Sequence, residues 1–213
     1  MKAPPTELGP LELGDLSVGC TVLAGGGGGD PRVGLLMALH AISKTGPVPL
    51  VQLEDLDPDG LVLPSGMIGA PTVMVEKIPN GAEGRVIRSA LEARLGKLVV
   101  AMMCLEMGGI NGVLPVAWAA NAGLPIVDGD LMGRAFPEVQ MCTPHLHGIS
   151  ALPCAIADER LQVITYETRD NAWLERLVRN TVSTLGGCAC AGLYPMTALE
   201  AAGPTIRGTV TTA

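Results

Sequence analysis

The stretch KLVVAMMCLEMGGINGVLPVAWAANAGLPIVDGD, residues 97–130, decides how the chain is read. Residues 97–104 are almost continuously apolar, the pattern of a strand buried on both faces. Residues 110–123 form a helical stretch, and LPIVD at 124–128 reads as the next strand. Working outward, AEGRVIRSALEARLG at 82–96 places Val86, Ile87, Ala90, Leu91 and Leu95 on one helical face. PTVMVE at 71–76 and VPLVQLE at 48–54 are further apolar strand candidates. Nearer the N-terminus, VGCTVLA at 18–24 reads as a short β-branched strand, followed by five glycines at 25–29 and a helix that Asp30 caps and Pro31 opens. Downstream, TRDNAWLERLVRNTVSTLG at 168–186 is the clearest helix, with Trp173, Leu174, Leu177, Val178 and Val182 on one side and Gly186 as its stop. Alternation of this kind argues for an α/β domain with a mainly parallel sheet covered on both sides. Ligands then bind where loops leave the carboxyl ends of the strands. Three loops qualify by content: Gly25 to Asp30, Glu106 to Asn111, and Asp128 to Glu138.

Composition narrows the classes of function. The 213 residues are 48% apolar and only 2% aromatic, so the core is built from Val, Leu, Ile, Met and Ala. A net charge of −7 with 14 Lys and Arg offers phosphate backbones little counter-charge, and five aromatic residues make no base-stacking platform. Nucleic acid is excluded on these grounds. Six cysteines without a CxxC pair read as reduced, buried thiols; Cys188-Ala-Cys190 reads as packing in a strand. MKAPPTELGPLELGD has no charged start followed by an apolar run, so a cytoplasmic location is expected. The 21 residues between Glu106 and Asp128 carry no charge, yet they hold four Gly, two Pro and two Asn, which argues against a membrane span.

The motifs concentrate chemistry in a few places. Gly25, Gly26, Gly27, Gly28 and Gly29 bring backbone N–H groups to a helix start, where they can hold a polarised oxygen or form a tight turn. The sixth place of a GxGxxG pattern begun at Gly25 is Asp30, and no GxxxxGK[ST] occurs, so neither nucleotide fingerprint is met. Asp55-Leu-Asp57-Pro-Asp59-Gly60 imitates a calcium loop, but its twelfth position is Gly66, and a solvated acidic turn is the reading kept. Glu76-Lys77 reads as a surface ion pair. No GxSxG elbow supports a serine hydrolase. LPIVDGDLMGRAFPEVQMCTPHLHG, residues 124–148, is the richest segment. A spacing of two puts Asp128 and Asp130 on one side if the chain stays extended, and paired carboxylates suit a general base or a metal. His145 and His147 have the same spacing and, with the carboxylates, could hold zinc or a related divalent ion, although HExxH is not met. The alternative is a salt-bridged loop in which Arg134 neutralises an aspartate and the histidines cap a helix. Glu106 and Asn111, at the end of strand 97–104, complete the candidate set.

In this order, GCTVLAGGGGGDPRVG, EDLDPDGLVLPSGMIGAPTVMVEKIPNG, EMGGINGVLP and PIVDGDLMGRAFPE resemble the N-terminal domain of the S-methyl thiohydantoin desulfurase family, whose members are often neighbours or fusions of hydantoinase A/oxoprolinase-type proteins. The likeness runs from about Gly19 to Gly208. It implies a three-layer α/β/α domain, a smaller β-rich domain beyond it that this chain does not carry, and hydrolytic replacement of sulfur at a hydantoin-like ring carbon. Residues 1–213 are therefore expected to form a single α/β domain. Asp128 or Asp130 would take a proton from water. Arg134 and the glycine N–H groups would hold ring carbonyls, and His145 would serve as acid or metal ligand. The expected partners are a small-molecule substrate and either a second copy of the chain or a hydantoinase-like protein. The alternative to an enzyme is a non-catalytic subunit or binding module for such a partner.

Overall fold

Nearly continuous apolar runs along extended chain bury both faces of a sheet, and this chain supplies several of them. In the computed structural model, which describes residues 5–74 and 76–213, the first half contains β1 (Glu7–Leu8), α1 (Pro10–Ala24), α2 (Pro31–Thr45), β2 (Val48–Val51), β3 (Leu61–Gly69), α3 (Pro71–Met74), α4 (Glu83–Leu95) and β4 (Val99–Cys104). The second half contains α5 (Leu114–Ala122), β5 (Ile126–Val127), β6 (Gly129–Asp130), α6 (Thr143–Leu146), β7 (Cys154–Ala157), β8 (Val163–Tyr166), α7 (Asn171–Thr184), β9 (Cys188–Gly192), β10 (Met196–Thr197), α8 (Ala198–Ala201), β11 (Ile206–Arg207) and α9 (Thr209–Thr212).

Among the described residues one nine-stranded sheet runs β1-β2-β5-β4-β3-β9-β7-β8, with β10 also paired to β3. Its centre, β2-β5-β4-β3, is parallel, as the alternating strands and helices require. β9, β7 and β8 extend it with antiparallel pairs, and β1 adds an antiparallel edge. Val99, Met102 and Cys104 of β4 face one apolar layer with α1, α2, α4 and α5. Ala101, Met103 and Leu105 face the other, with α7 and α8. The chain is thus a three-layer α/β fold. α5 buries seven of its nine residues because α2 packs along it on the side away from the sheet, which is why its sequence is apolar all round. β9 turns Cys188 and Cys190 to one layer and Ala189 and Ala191 to the other, and all six cysteines are free and buried.

Two strand assignments are corrected. Residues 18–24 are the last turns of α1, not a strand. Leu13, Leu16, Ser17 and Cys20 are buried at helical spacing, while Leu11, Val18 and Val22 lie exposed on the outer face, and these outward apolar residues made the run look continuous. Pro10 at the first helical position and the Gly9 N–H bond to Glu12 (3.2 Å) start the helix further upstream. Residues 71–74 are α3, and Val75, in the expected 71–76 strand, lies outside the described residues, as do residues 1–4 of the N-terminal stretch. The strand is β3, ten residues earlier, where Pro64 and Gly66 read as breakers. Pro64 fits because pairing with β9 begins only at Ser65↔Gly192. Lys77 pairs with Glu159 at 2.9 Å and not with Glu76.

Candidate functional site

A hollow of about 480 Å³ opens at the carboxyl ends of β3 and β4, where an α/β sheet is expected to place its ligands. Glycine lets two of its loops touch. Gly28 (φ 70°) accepts through its carbonyl from the Ile110 N–H (2.9 Å), and a Cβ on Gly109 (φ 62°) would stand 2.1 Å from that carbonyl oxygen. Both residues therefore need the left-handed region and the missing side chain. A Cβ on Gly108 would likewise meet the Ala135 N at 2.6 Å, so the third loop closes on the second. The glycine run follows a helix and not a strand, yet it reaches the expected place.

Glu106 is the buried acid of this hollow, 5% exposed. One oxygen, Oε1, accepts from Asn111 Nδ2 (2.8 Å), and Oε2 accepts from the Phe136 N–H (2.6 Å). Asn111 is itself fixed: its Oδ1 accepts from the Met67 N–H (2.6 Å) and its Nδ2 donates to the Met67 carbonyl (2.8 Å), which ties β3 to the turn after β4. Gly66 leaves room for this, since a Cβ there would lie 2.8 Å from Asn111 Oδ1. Burial pushes the Glu106 carboxyl up to about 7, with the Asp130 charge adding to it; the Asn111 and Phe136 hydrogen bonds and the Arg134 charge pull the other way. Arg134 lines the hollow and forms no salt bridge among the described residues; its Nη1 donates to the Ala135 carbonyl (2.9 Å). A carboxyl that changes charge near neutrality close to a guanidinium with no salt-bridge partner among the described residues is equipped for proton transfer and for holding an electron-rich group.

The expected pair of aspartates is separated. Asp128 does not line the hollow: Oδ1 accepts from the Thr211 N–H (3.0 Å) and Oδ2 from the Thr211 hydroxyl (2.6 Å), so it caps the first turn of α9. The chain bends at Asp128, and β6 leaves the main sheet to pair with β11, so a spacing of two no longer means a shared side. Asp130 is fully buried and accepts from the Met107 N–H (2.6 Å) and the Gly133 N–H (2.8 Å), the backbone neighbours of Glu106 and Arg134. It positions both loops from behind, and burial raises its carboxyl to about 6.

Of the glycines, Gly25, Gly27 and Gly28 line the hollow, while Gly26, Gly29 and Asp30 do not. Asp30 is exposed and caps α2 through the Arg32 N–H (2.9 Å). His145 and His147 are exposed on and after α6, away from the lining. His145 Nδ1 is 3.1 Å from Asn171 Nδ2, and His147 Nδ1 is 3.0 Å from the Thr143 carbonyl oxygen. No group of three or more His, Cys, Asp or Glu among the described residues could hold a metal ion. Among the described residues His145 and His147 therefore lack the third His, Cys, Asp or Glu ligand that a protein zinc site uses.

One wall has no counterpart in the sequence reading. Glu175 and Arg179 of α7 form an ion pair (Nε to Oε1, 2.7 Å), and Glu175 Oε2 also accepts from the Val139 N–H (2.9 Å). Arg179 donates to the Pro137 carbonyl (3.1 Å), and the Tyr194 hydroxyl donates to the Val139 carbonyl (2.9 Å), so the segment after Arg134 is stapled to α7 and to the turn after β9. The only local signal was the i,i+4 spacing of Glu175 and Arg179.

No curated protein matches the chain. A crystal structure of a protein from Chromobacterium violaceum superposes with a TM-score of 0.83 at 24% identity, over 98% of this chain and 60% of that one. That likeness is one of fold, and the chain spans 60% of the length of the protein it matches. No helix among the described residues is long and apolar enough to cross a membrane. The family model described as S-Me-THD-like, N-terminal domain, matches residues 11–168, and the chain belongs to that family.

Proposed function

We propose that the chain is the hydrolytic domain of an S-methyl thiohydantoin desulfurase, replacing the methylthio group of a hydantoin-like ring by water. The observation that carries this reading is the buried Glu106 in the hollow, with its carboxyl raised to about 7, next to the unpaired Arg134. Glu106 takes a proton from water as the oxygen adds to the ring carbon, and passes it to the ring nitrogen. The C–S bond then breaks, the new C–O bond becomes a carbonyl, and the hydroxyl proton leaves with the sulfur as methanethiol. Arg134 holds a ring carbonyl, and the backbone around Gly27 and Gly28 packs against the ring. The apolar lining from Met67, Ile68, Phe136 and Leu193 shields the reacting carbon from bulk water.

Methanethiol release from an S-methyl thiohydantoin, followed with a thiol reagent, tests this. Turnover is expected to rise with pH through about 7 as Glu106 ionises. Glu106→Gln is expected to lower kcat by about 10²–10⁴. Full activity in that variant, or neither thiol release nor saturable hydantoin binding by the wild type, overturns the proposal. The second reading, a binding module for a hydantoinase-like partner, draws on Leu11, Val18 and Val22, exposed along one face of α1. Co-purification with such a partner and no turnover by the chain alone would favour it.

A further inference from the structure

A second hollow of about 230 Å³ lies between α4 and α5, over Met102 of β4, and shares no lining residue with the first. Its lining holds Arg85 and Arg88 and no carboxylate, in a chain with 21 acidic side chains against 14 Lys and Arg. The helical period explains the arginines' place: Ile87 and Leu91 of α4 go to the core, which leaves Arg85 and Arg88 towards the α5 side of the helix.

The donors here are underused. Arg85 is exposed and forms no salt bridge among the described residues. Among the described residues Arg88 Nε is buried without a hydrogen-bond partner; its one carboxylate neighbour there, Glu92, stands 3.9 Å away and already accepts from the Val99 N–H (3.0 Å). Trp118 of α5 is 3% exposed, and its indole N–H is also buried without a partner among the described residues. The ring rests against the Gly84 backbone, where a Cβ would stand 2.3 Å from Trp118 Cγ. A buried donor left unpaired costs about 1–3 kcal/mol, and both donors belong to residues that line this one cavity.

We infer that this hollow is a binding site for a small organic carboxylate, distinct from the reaction site. Its oxygens accept from Arg88 and the Trp118 indole, Arg85 adds the second positive charge, and the organic part lies against Met102 and the indole face. A fork of guanidinium N–H groups matches a carboxylate in two-point geometry, and the apolar wall favours an organic anion over a bare oxyanion.

The chain has two tryptophans, and Trp173 is an exposed residue of α7 outside this hollow. Trp173→Phe therefore leaves Trp118 as the single indole reporter. In that variant benzoate is expected to change the emission saturably, while benzamide, its neutral counterpart, does not. Adding Arg88→Gln or Arg85→Gln is expected to weaken benzoate binding by about tenfold or more. Circular dichroism and the melting temperature verify that the variants fold; should Arg88→Gln fail to fold, Arg85→Gln at its exposed position decides. Absence of a saturable benzoate response, an equal response to benzamide, tighter binding of inorganic phosphate than of benzoate, or undiminished affinity in a folded arginine variant overturns the inference.

Discussion

The raised carboxyl of Glu106 makes a claim about stability as well as catalysis. Its ordinary value is 4.5 and burial carries it to about 7, so the folded chain holds the proton more tightly than the unfolded chain does. The stabilising contribution is then complete below about pH 4.5 and is lost as pH rises through about 7. At about 1.4 kcal/mol per pH unit, the interval between the two values corresponds to about 3 kcal/mol. Asp130, carried from 3.8 to about 6, acts in the same direction, its contribution fading between those values. Urea unfolding followed by circular dichroism should therefore show wild-type stability falling by several kcal/mol, about 4, between about pH 5 and about pH 8.5. Glu106→Gln cannot ionise, and its stability should fall by about 3 kcal/mol less over that range. A wild-type curve that is flat or rises with pH, or a Glu106→Gln curve parallel to the wild type, would refute the claim that this carboxyl is buried and perturbed.

Other substitutions separate scaffold from chemistry. Asp128→Asn removes only the charge that caps α9; a stability loss of about 1 kcal/mol is expected with methanethiol release retained, and loss of turnover in a folded variant would return Asp128 to the site. Gly109→Ala puts a Cβ onto the Gly28 carbonyl at a positive φ and should lower stability by at least about 2 kcal/mol, read from the urea midpoint; an unchanged midpoint would mean the loops do not touch. Asn111→Ala strips partners from Glu106 and from both backbone groups of Met67, at a cost of about 3 kcal/mol. Because the Asn111 bond holds the Glu106 carboxyl down, the same variant should move the pH midpoint of kcat/KM upward; a downward move contradicts the assigned contact.

What the sequence made legible follows from where each signal originates. β4, α5 and β5 were readable because their apolar runs and the Gly123 stop between α5 and β5 are local signals, and the loops after them inherit a place at the strand ends. That is enough to bring Glu106, Asn111 and Arg134 to one hollow. β3 was hidden because Pro64 is a breaker only where a neighbouring strand needs its N–H, and the start of the β9 pairing is a tertiary fact. α1 was hidden because Val18 and Val22 are apolar on a face that packs against nothing described here. The aspartate pair failed at a single residue: the bend at Asp128 sends one carboxylate to α9 and the other beneath the two loops. The consequence bears on the chemistry. Two close carboxylates in the hollow would have needed a cation or a shared proton between them. With Asp128 tied to Thr211 and Asp130 tied to backbone N–H groups off the lining, Glu106 is a lining carboxylate that burial raises towards neutrality, and the proposed proton transfer runs through it.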